Sequence, residues 1–313
     1  MEGIWRWGVE VIIAIQAIHT PMVDGFFNVV TSLGSEEFYL FLLPLLYWCI
    51  DKRLAQRLAY LFLFSVYSNA ALKDFFRHPR PFEYDPRVLK LDWVPADELG
   101  YGFPSGHSQA AITAWGYLAA WVRRRWMAVL AATLVILIAF SRMYLGVHFP
   151  TDVLGGLLIG GVWLGLFVVV EPRLDHWLSW QTLGLQIGLA LVVPAALLLG
   201  YSSGDAAVAM GTLIGLGAGI VVEGRAVRFS PGGPIWQRAA RFIVGVVVIL
   251  ILREGLKLVF PGEGEALYVF FRVFRYSLVG LWAALAGPWV FQQLGLASSM
   301  KAEGGGREGA YYI

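Results

Sequence analysis

The sequence predicts an all-α, polytopic membrane helix bundle. Three observations carry that expectation. The chain is 58% hydrophobic and only 15% charged, with a mean hydropathy of +0.64, where a soluble domain carries about 25% charged residues. Apolar runs recur along its 313 residues, most of them approaching the ~20 residues that cross a bilayer as a helix. The polar stretches between them carry Lys and Arg in alternate loops, the pattern of a chain threaded back and forth through a membrane.

Taken in order, helices are expected over 8–20, 36–50, 55–75, 106–123, 126–147, 150–170, 183–200, 206–222, 238–260 and 266–292. The first is short and amphipathic, and Pro21 and Asp24 interrupt the residues after it. It either tilts across the membrane or lies in the interface. It lacks a strongly basic leader and an A-x-A-like cleavage site, so it reads as a retained helix rather than a signal peptide. Residues 82–103 form a polar segment with Pro86 and Pro95, long enough to cover a site. Residues 223–237 make a basic, turn-rich connection. The tail from Lys301, with Gly304, Gly305 and Gly306, reads as disordered. The single cysteine, Cys49, excludes an internal disulfide and a Cys-based metal cluster, and reads as a small buried apolar side chain.

Loop charge predicts orientation. One set of loops holds Lys52, Arg53 and Arg57, Arg123 to Arg125, Arg173, Arg225, Arg228, Arg238, Arg241, Lys301 and Arg307. The other holds Glu36, Glu37, the mixed 82–103 segment, Asp205, Glu263 and Glu265. The positive-inside rule places the first set in the cytoplasm. Both termini are then cytoplasmic if the first helix spans, and a bacterial-type plasma membrane is the expected location.

Three segments then fall together at the external helix ends. Lys73 and Arg80 are seven residues apart, two helical turns and hence one face, with Pro79 and Pro81 ending the helix. Two converging cations seat a phosphate dianion, Arg by paired planar bonds and Lys as a point charge. Snorkelling at a helix end accounts equally well for Lys73 alone. Arg77 and His78 point elsewhere by spacing and read as structural or rim residues. Pro104-Ser105-Gly106-His107 precedes an apolar helix. Ser105 is a good N-cap, the free N–H groups there favour an anion, and His107 is placed to protonate a leaving oxygen. Finally, His148 and Asp152 are four residues apart, after Ser141-Arg142. A carboxylate on one ring nitrogen fixes the tautomer and frees the other to attack phosphorus. Arg142 joins the phosphate seat. A His–Asp pair that merely staples two helices is the plainer alternative, but charged groups at such depth mark function by default.

At these residues the chain resembles the type 2 phosphatidic acid phosphatase superfamily, whose pattern K-x6-RP, PSGH, SR-x5-H-x3-D is met over about residues 55–170. The longer runs Lys73 to Pro81, Tyr101 to Ser105 and Ser141 to His148 are similar to the branch of sphingosine-1-phosphate and dolichyl diphosphate phosphatases. The resemblance implies a six-helix phosphatase core with about four additional C-terminal helices. It also implies a phosphohistidine route without metal or other cofactor: His148 as nucleophile, Asp152 orienting it, His107 as acid. Lys73, Arg80, Ser105, the Gly106 N–H and Arg142 would hold the phosphoryl oxygens. The expected partition is 1–175 as core, 176–300 as additional helices and 301–313 as tail. The expected partners are a membrane lipid, its phosphate or terminal diphosphate presented to the pocket, and the bilayer, not nucleic acid.

The last third carries no nameable motif. Its unusual feature is charge in apolar context: Arg253, Glu254 and Lys257, then Arg272 and Arg275. These either pair and snorkel, or form a second anion site for a diphosphate or charged headgroup. A phosphatase of soluble esters, a vanadate-dependent haloperoxidase and a non-hydrolytic lipid transporter are the competing functions.

Overall fold

The computed structural model describes residues 2–91 and 100–300. The expected tail, and the middle of the expected cover at 82–103, lie outside the described residues. The chain is helical: α1 (Glu2–Gln16), α2 (Pro21–Ser32), α3 (Glu36–Cys49), α4 (Lys52–Phe76), the short α5 (Pro81–Tyr84), α6 (Gly106–Val122), α7 (Arg125–Tyr144), α8 (Pro150–Ser179), α9 (Leu183–Gly200), α10 (Gly204–Ala226), α11 (Ile235–Leu250), α12 (Tyr268–Leu281) and α13 (Gly287–Gln293). Among the described residues the sole β-pairing is an isolated bridge between Phe229 and Ser299. Among the described residues six helical stretches are long and apolar enough to cross a membrane: Arg125–Tyr144, Pro150–Ser179, Leu183–Gly200, Gly204–Ala226, Ile235–Gly255 and Tyr268–Gln293.

The largest departure from the sequence expectation is α2. Pro21 and Asp24 looked like an interruption but begin a helix. Thr20 is its N-cap, accepting from the Val23 N–H at 3.3 Å, and Pro21 sits at its start, where no N–H is needed. Asp24 in the first turn suits the helix dipole. α1 and α2 meet at 118°. Two later helices are locally wound wider than an α-helix. Ile251–Gly255 continues α11, and Trp282–Ala286 joins α12 to α13, each as a π-helical turn.

The chain packs as two compact units, residues 1–39 with 68–167, and residues 40–67 with 168–313. In the first, α2 and α6 lie against α7. Phe27, Val30, Ala111, Ile138, Tyr144, Leu145 and Val147 form its core. A second cluster of Val9, Ile12, Val88 and Phe149 joins α1 to the segment after α7. α8 approaches α6 closely because small residues face it. A Cβ at Gly160 would sit 2.7 Å from the Gln109 carbonyl oxygen, and one at Gly156 would collide with that of Ser105.

In the second unit α10 is the central helix, packed by α9 and α12. Its Gly211 lets the α12 backbone in, since a Cβ there would lie 2.6 Å from the Val273 carbonyl oxygen. Several of its charges are paired. Lys52 meets the fully buried Glu223 at 2.9 Å, and Arg57 meets Glu171 at 2.7 Å and Asp175 at 2.9 Å. Arg241 donates to the carbonyls of Ser230, Pro231 and Gly232, which fixes the turn-rich connection.

Candidate active site

All three motif segments belong to the first unit. α4 carries Lys73 in its last turn and stops as Arg77 turns left-handed, with φ 50°. Two residues past His78, Arg80 caps α5, its N–H donating to Glu83 Oε2 at 2.9 Å. Its guanidinium is 1% exposed and is aimed by two carbonyls: Nε donates to Gly100 at 2.5 Å and Nη1 to Val147 at 3.1 Å. A buried cation fixed this way is already oriented before an anion arrives, so little ordering is left for binding to supply.

Ser105 is the N-cap of α6 and fully buried. Its hydroxyl oxygen accepts from the Ser108 hydroxyl at 3.0 Å, and its N–H donates to the Asp152 carbonyl at 3.0 Å. Gly106 and His107 therefore open a helix whose positive end faces the same region as Asp152. Asn69, from α4, steadies this corner by donating to Gln109 Oε1 at 2.8 Å.

α7 ends with Arg142 in its last turn and Tyr144 at its terminus. Gly146, at φ 70°, reverses the chain in a conformation that a larger residue would resist. The N–H groups of Val147 and His148 fold back to the Arg142 carbonyl at 3.2 and 3.3 Å. His148 is 1% exposed, and its Nδ1 lies 3.5 Å from Asp152 Oδ2. That oxygen also accepts the Phe149 N–H at 2.9 Å, so Asp152 both faces His148 and caps the start of its own helix. Nε2 is left as the nitrogen able to meet a substrate. Burial, followed by the charges of Arg80, Arg142, Lys73 and His107, holds His148 well below its ordinary value and so in the neutral form. The same interactions show that residues from all three motifs converge on one imidazole.

His78 is at the rim but not idle. It packs edge-on to Trp5 and against Phe103, with centroids 5.6 and 5.2 Å away, and its Nδ1 is 3.9 Å from Asp152 Oδ1. Arg77 lines an open cavity of about 450 Å³ with Pro79, Glu83, Gly100 and Tyr101. The N-terminal helices also reach the site, which the motif spacing gave no means of seeing. Thr31 Oγ1 accepts from Arg142 Nη1 at 2.6 Å, and Gln16 Nε2 donates to the Tyr144 carbonyl at 2.9 Å. Among the described residues no group of three or more His, Cys, Asp or Glu side chains is placed to hold a metal ion.

Arg253, Lys257, Arg272 and Arg275 belong to the second unit. Arg253 Nε is 3.2 Å from Glu254 Oε1. Arg272 lies over the Tyr268 ring and donates to its hydroxyl, and the buried Arg275 lies over Tyr276. Lys257 is exposed.

Comparison with known proteins gives these groups a context. The family model described as the PAP2 superfamily matches residues 54–176. A second, described as a PAP2 superfamily phosphatase transmembrane extension, matches residues 207–299, the region without a nameable motif. Lipid phosphate phosphatase delta of Arabidopsis thaliana is 30% identical over 274 residues, covering 79% of this chain and 65% of that protein. Sphingosine-1-phosphate phosphatase 2 of Homo sapiens is 30% identical over 283 residues, covering 79% of this chain and 67% of that protein. The chain thus spans about two thirds of the length of these relatives. A solved structure, the first transmembrane PAP2-type phosphatidylglycerolphosphate phosphatase from Bacillus subtilis, is similar with a TM-score of 0.45 at 24% identity, over 55% of this chain and 88% of that one. With a 30% identical relative matched over two thirds of its length and two family models meeting most of the chain, the protein belongs to the PAP2 superfamily of phosphatases.

Proposed function

We propose that this protein is an integral membrane phosphatase that removes the phosphate, or the terminal phosphate of a diphosphate, from a lipid through a phosphohistidine intermediate. The observation that carries this is His148. It is a buried neutral imidazole with a carboxylate 3.5 Å from one nitrogen, within the field of three cations and a second histidine.

The chemistry runs in two displacements. Arg80, Arg142 and Lys73 bind the phosphoryl oxygens, joined by the Ser105 hydroxyl and the Gly106 N–H at the start of α6. His148 Nε2 attacks phosphorus and the P–O bond to the lipid breaks. His107 gives its proton to the leaving alkoxide, and Asp152 stabilises the positive charge growing on His148. In the second step His107 takes a proton from water, whose oxygen attacks the phosphohistidine. The N–P bond breaks, inorganic phosphate leaves and His148 is neutral again. Donors fixed before the reaction stabilise the charge developing on the equatorial oxygens, an effect of roughly 10²–10³ in rate per donor. No step calls for a metal ion.

The relatives' names point to lipid phosphates, sphingoid phosphates among them, and the exposed apolar faces of α8 and α9 suit a substrate that stays in the bilayer. An isoprenyl diphosphate is the second substrate class supported by the sequence resemblance. Residues 1–175 then act as the phosphatase core and 176–300 as an accessory helical region, with a second anion site among Arg253, Lys257, Arg272 and Arg275. The loop charges favour an extracytoplasmic active site. α1 lies against the motif-bearing end of the first unit, where Arg87 Nη2 meets Glu10 at 2.9 Å, so it fits an interfacial helix on that same side.

The deciding experiment is inorganic phosphate release by the purified protein from phosphatidate, a phosphatidylglycerol phosphate, a sphingoid phosphate, an isoprenyl diphosphate and a short-chain soluble ester. Release from the lipids supports the proposal. Preference for the soluble ester, or no release from any of them, overturns it in favour of a soluble-ester phosphatase or a transporter.

A further inference from the structure

The bent pair α1–α2 lies outside the segment matched by the PAP2 superfamily model, which begins at residue 54. It nevertheless touches the third motif at successive levels. Gly8 packs on Phe149, so closely that a Cβ there would lie 2.7 Å from the ring. Gln16 binds the Tyr144 carbonyl at 2.9 Å and pairs with the Leu89 backbone at 2.7 and 3.0 Å. Asp24 accepts from the Tyr144 hydroxyl at 2.5 Å, and Phe27 packs on the Tyr144 ring with centroids 4.5 Å apart. At the end of α2, Thr31 receives Arg142 Nη1 at 2.6 Å, and Gly34 lies against His107, a Cβ there falling 3.3 Å from its ring.

We infer that Thr31 is a positioning residue for phosphate binding, acting through Arg142. Arg142 is 2% exposed and Thr31 8%, so their bond is made away from competing water. A guanidinium is planar, and an acceptor on one nitrogen sets the plane in which its other donors project. Rotation of Arg142 about its long side chain would turn those donors away from the phosphoryl group. The packing of Phe27 and the Asp24–Tyr144 bond fix α2 on α7, and so fix the height at which Thr31 meets Arg142. The N-terminal pair is thereby part of the site's preorganisation rather than an added membrane anchor. The inference rests on the proposed role of Arg142 in holding phosphate.

The test uses the purified full chain, phosphatidate as substrate and orthovanadate as inhibitor. Thr31→Val keeps the shape and removes the hydroxyl oxygen that Arg142 Nη1 bonds at 2.6 Å. It should lower kcat/KM by about tenfold or more and weaken vanadate inhibition by a similar factor. Thr31→Ser keeps the hydroxyl and should stay within about threefold of the parent. Once Arg142 is replaced by Lys, adding Thr31→Val should change neither quantity further, because the effect is transmitted through the guanidinium. Two results overturn the inference: Thr31→Val with parental vanadate inhibition and kcat/KM, or Thr31→Ser as impaired as Thr31→Val. Should Thr31→Val fold poorly, Thr31→Ala alone and combined with Arg142→Lys decides instead: no further loss in the double variant supports the inference, and additive losses overturn it. His148→Ala and Arg142→Gln are the controls for the underlying catalytic assignment. If both remain active, that assignment fails. If both are inactive while Thr31→Val is normal, only the role of Thr31 fails.

Discussion

Asp152 stands between two histidines: Oδ2 is 3.5 Å from His148 Nδ1, and Oδ1 is 3.9 Å from His78 Nδ1. The two neighbours are not equivalent. His148 is buried among cations, whereas His78 is partly exposed and held in an aromatic cage of Trp5, Phe76 and Phe103. That difference favours His148 over His78 as the nucleophile of the proposed mechanism and makes His78 a wall of the carboxylate's pocket.

His148→Ala should therefore abolish turnover, by on the order of a thousandfold or more, with insertion and folding intact. Asp152→Asn should cost less than the nucleophile but at least ~10²-fold, because the imidazole loses its charge partner. His78→Phe, which keeps the cage, should stay within about fivefold. Phosphate release from detergent-purified variants with matched melting curves measures all three. Equal losses for His78→Phe and His148→Ala would reverse the assignment.

The acid side of the pH profile should be set by His148. The ordinary value for the imidazole is 6.5, and burial with the surrounding cations depresses it well below that in the folded protein. The depressed group stays neutral below pH 6.5, the form in which the proposed mechanism needs it. The acid limb of kcat/KM, which reports the free enzyme, should fall below that value. The sign for stability is the opposite of a favourable ion pair. Below 6.5 the unfolded chain takes up a proton that the folded chain resists, so stability declines as pH falls from there toward the folded value. His148→Ala should lessen that decline in melting temperature between about pH 6.5 and pH 4. An unchanged slope in the variant counts against the depressed value.

Hydrolysis should proceed unchanged in chelator and should be inhibited by orthovanadate, which adopts the five-coordinate geometry of the phosphoryl group in transfer. The proposed seat consists of Lys73, Arg80, Arg142, the Ser105 hydroxyl and the α6 N–H groups, which complement an anion. Activity lost in EDTA and restored by a divalent ion would show that the charge is neutralised in another way.

The motif residues were legible in the sequence because each segment is local. Seven residues separate Lys73 from Arg80 and four separate His148 from Asp152, helical spacings in both cases, yet α4 stops at Phe76 before Arg80 and His148 precedes α8, so it is turns and not one helix face that set these residues. The long apolar helices α7 to α10 were legible for the same reason, since a span is read within its own residues. Thr31 and Gln16 were not. Their partners are 111 and 128 residues away, and neither residue type signals anything by itself. α2 was missed because Pro21 reads as a breaker until Thr20 is seen to cap it. The π-helical turns were missed too, since Ile251–Gly255 and Trp282–Ala286 keep the apolar pattern of an ordinary helix. Spacing reads His78 as a structural or rim residue and does not show that its Nδ1 lies 3.9 Å from Asp152 Oδ1.

Labelling should place α1 and the motifs on one side of the membrane. Glu10 and Glu83 are both exposed, and Glu10 is linked through Arg87 to the segment after α5. In a chain with Cys49 replaced by Ser, Glu10→Cys and Glu83→Cys should react with a membrane-impermeant thiol reagent in intact cells. Arg124→Cys, in the basic connection between α6 and α7, should react only after lysis. Labelling of Glu83→Cys without Glu10→Cys would mean that α1 crosses the membrane, and labelling of Arg124→Cys alone would invert the topology.

The cations of the second unit are separable by their surroundings. Charge at membrane depth is costly unless it is paired or near water. Arg275 is 8% exposed, with its guanidinium over Tyr276, so its removal should act mainly on stability. Lys257 is exposed, and Arg272, resting on Tyr268, stands over the start of α10, where a Cβ at Gly204 would lie 3.5 Å from its Cζ. These two are the better candidates for meeting an anion, since a helix start adds its own positive end. Lys257→Gln and Arg272→Gln should raise KM for an isoprenyl diphosphate more than for phosphatidate, by about threefold to tenfold, with kcat little changed. Arg275→Gln should lower the melting temperature and affect both substrates alike. If Lys257→Gln and Arg272→Gln also affect the two substrates equally, or neither, the second phosphate has no seat here and the transmembrane extension serves as scaffold.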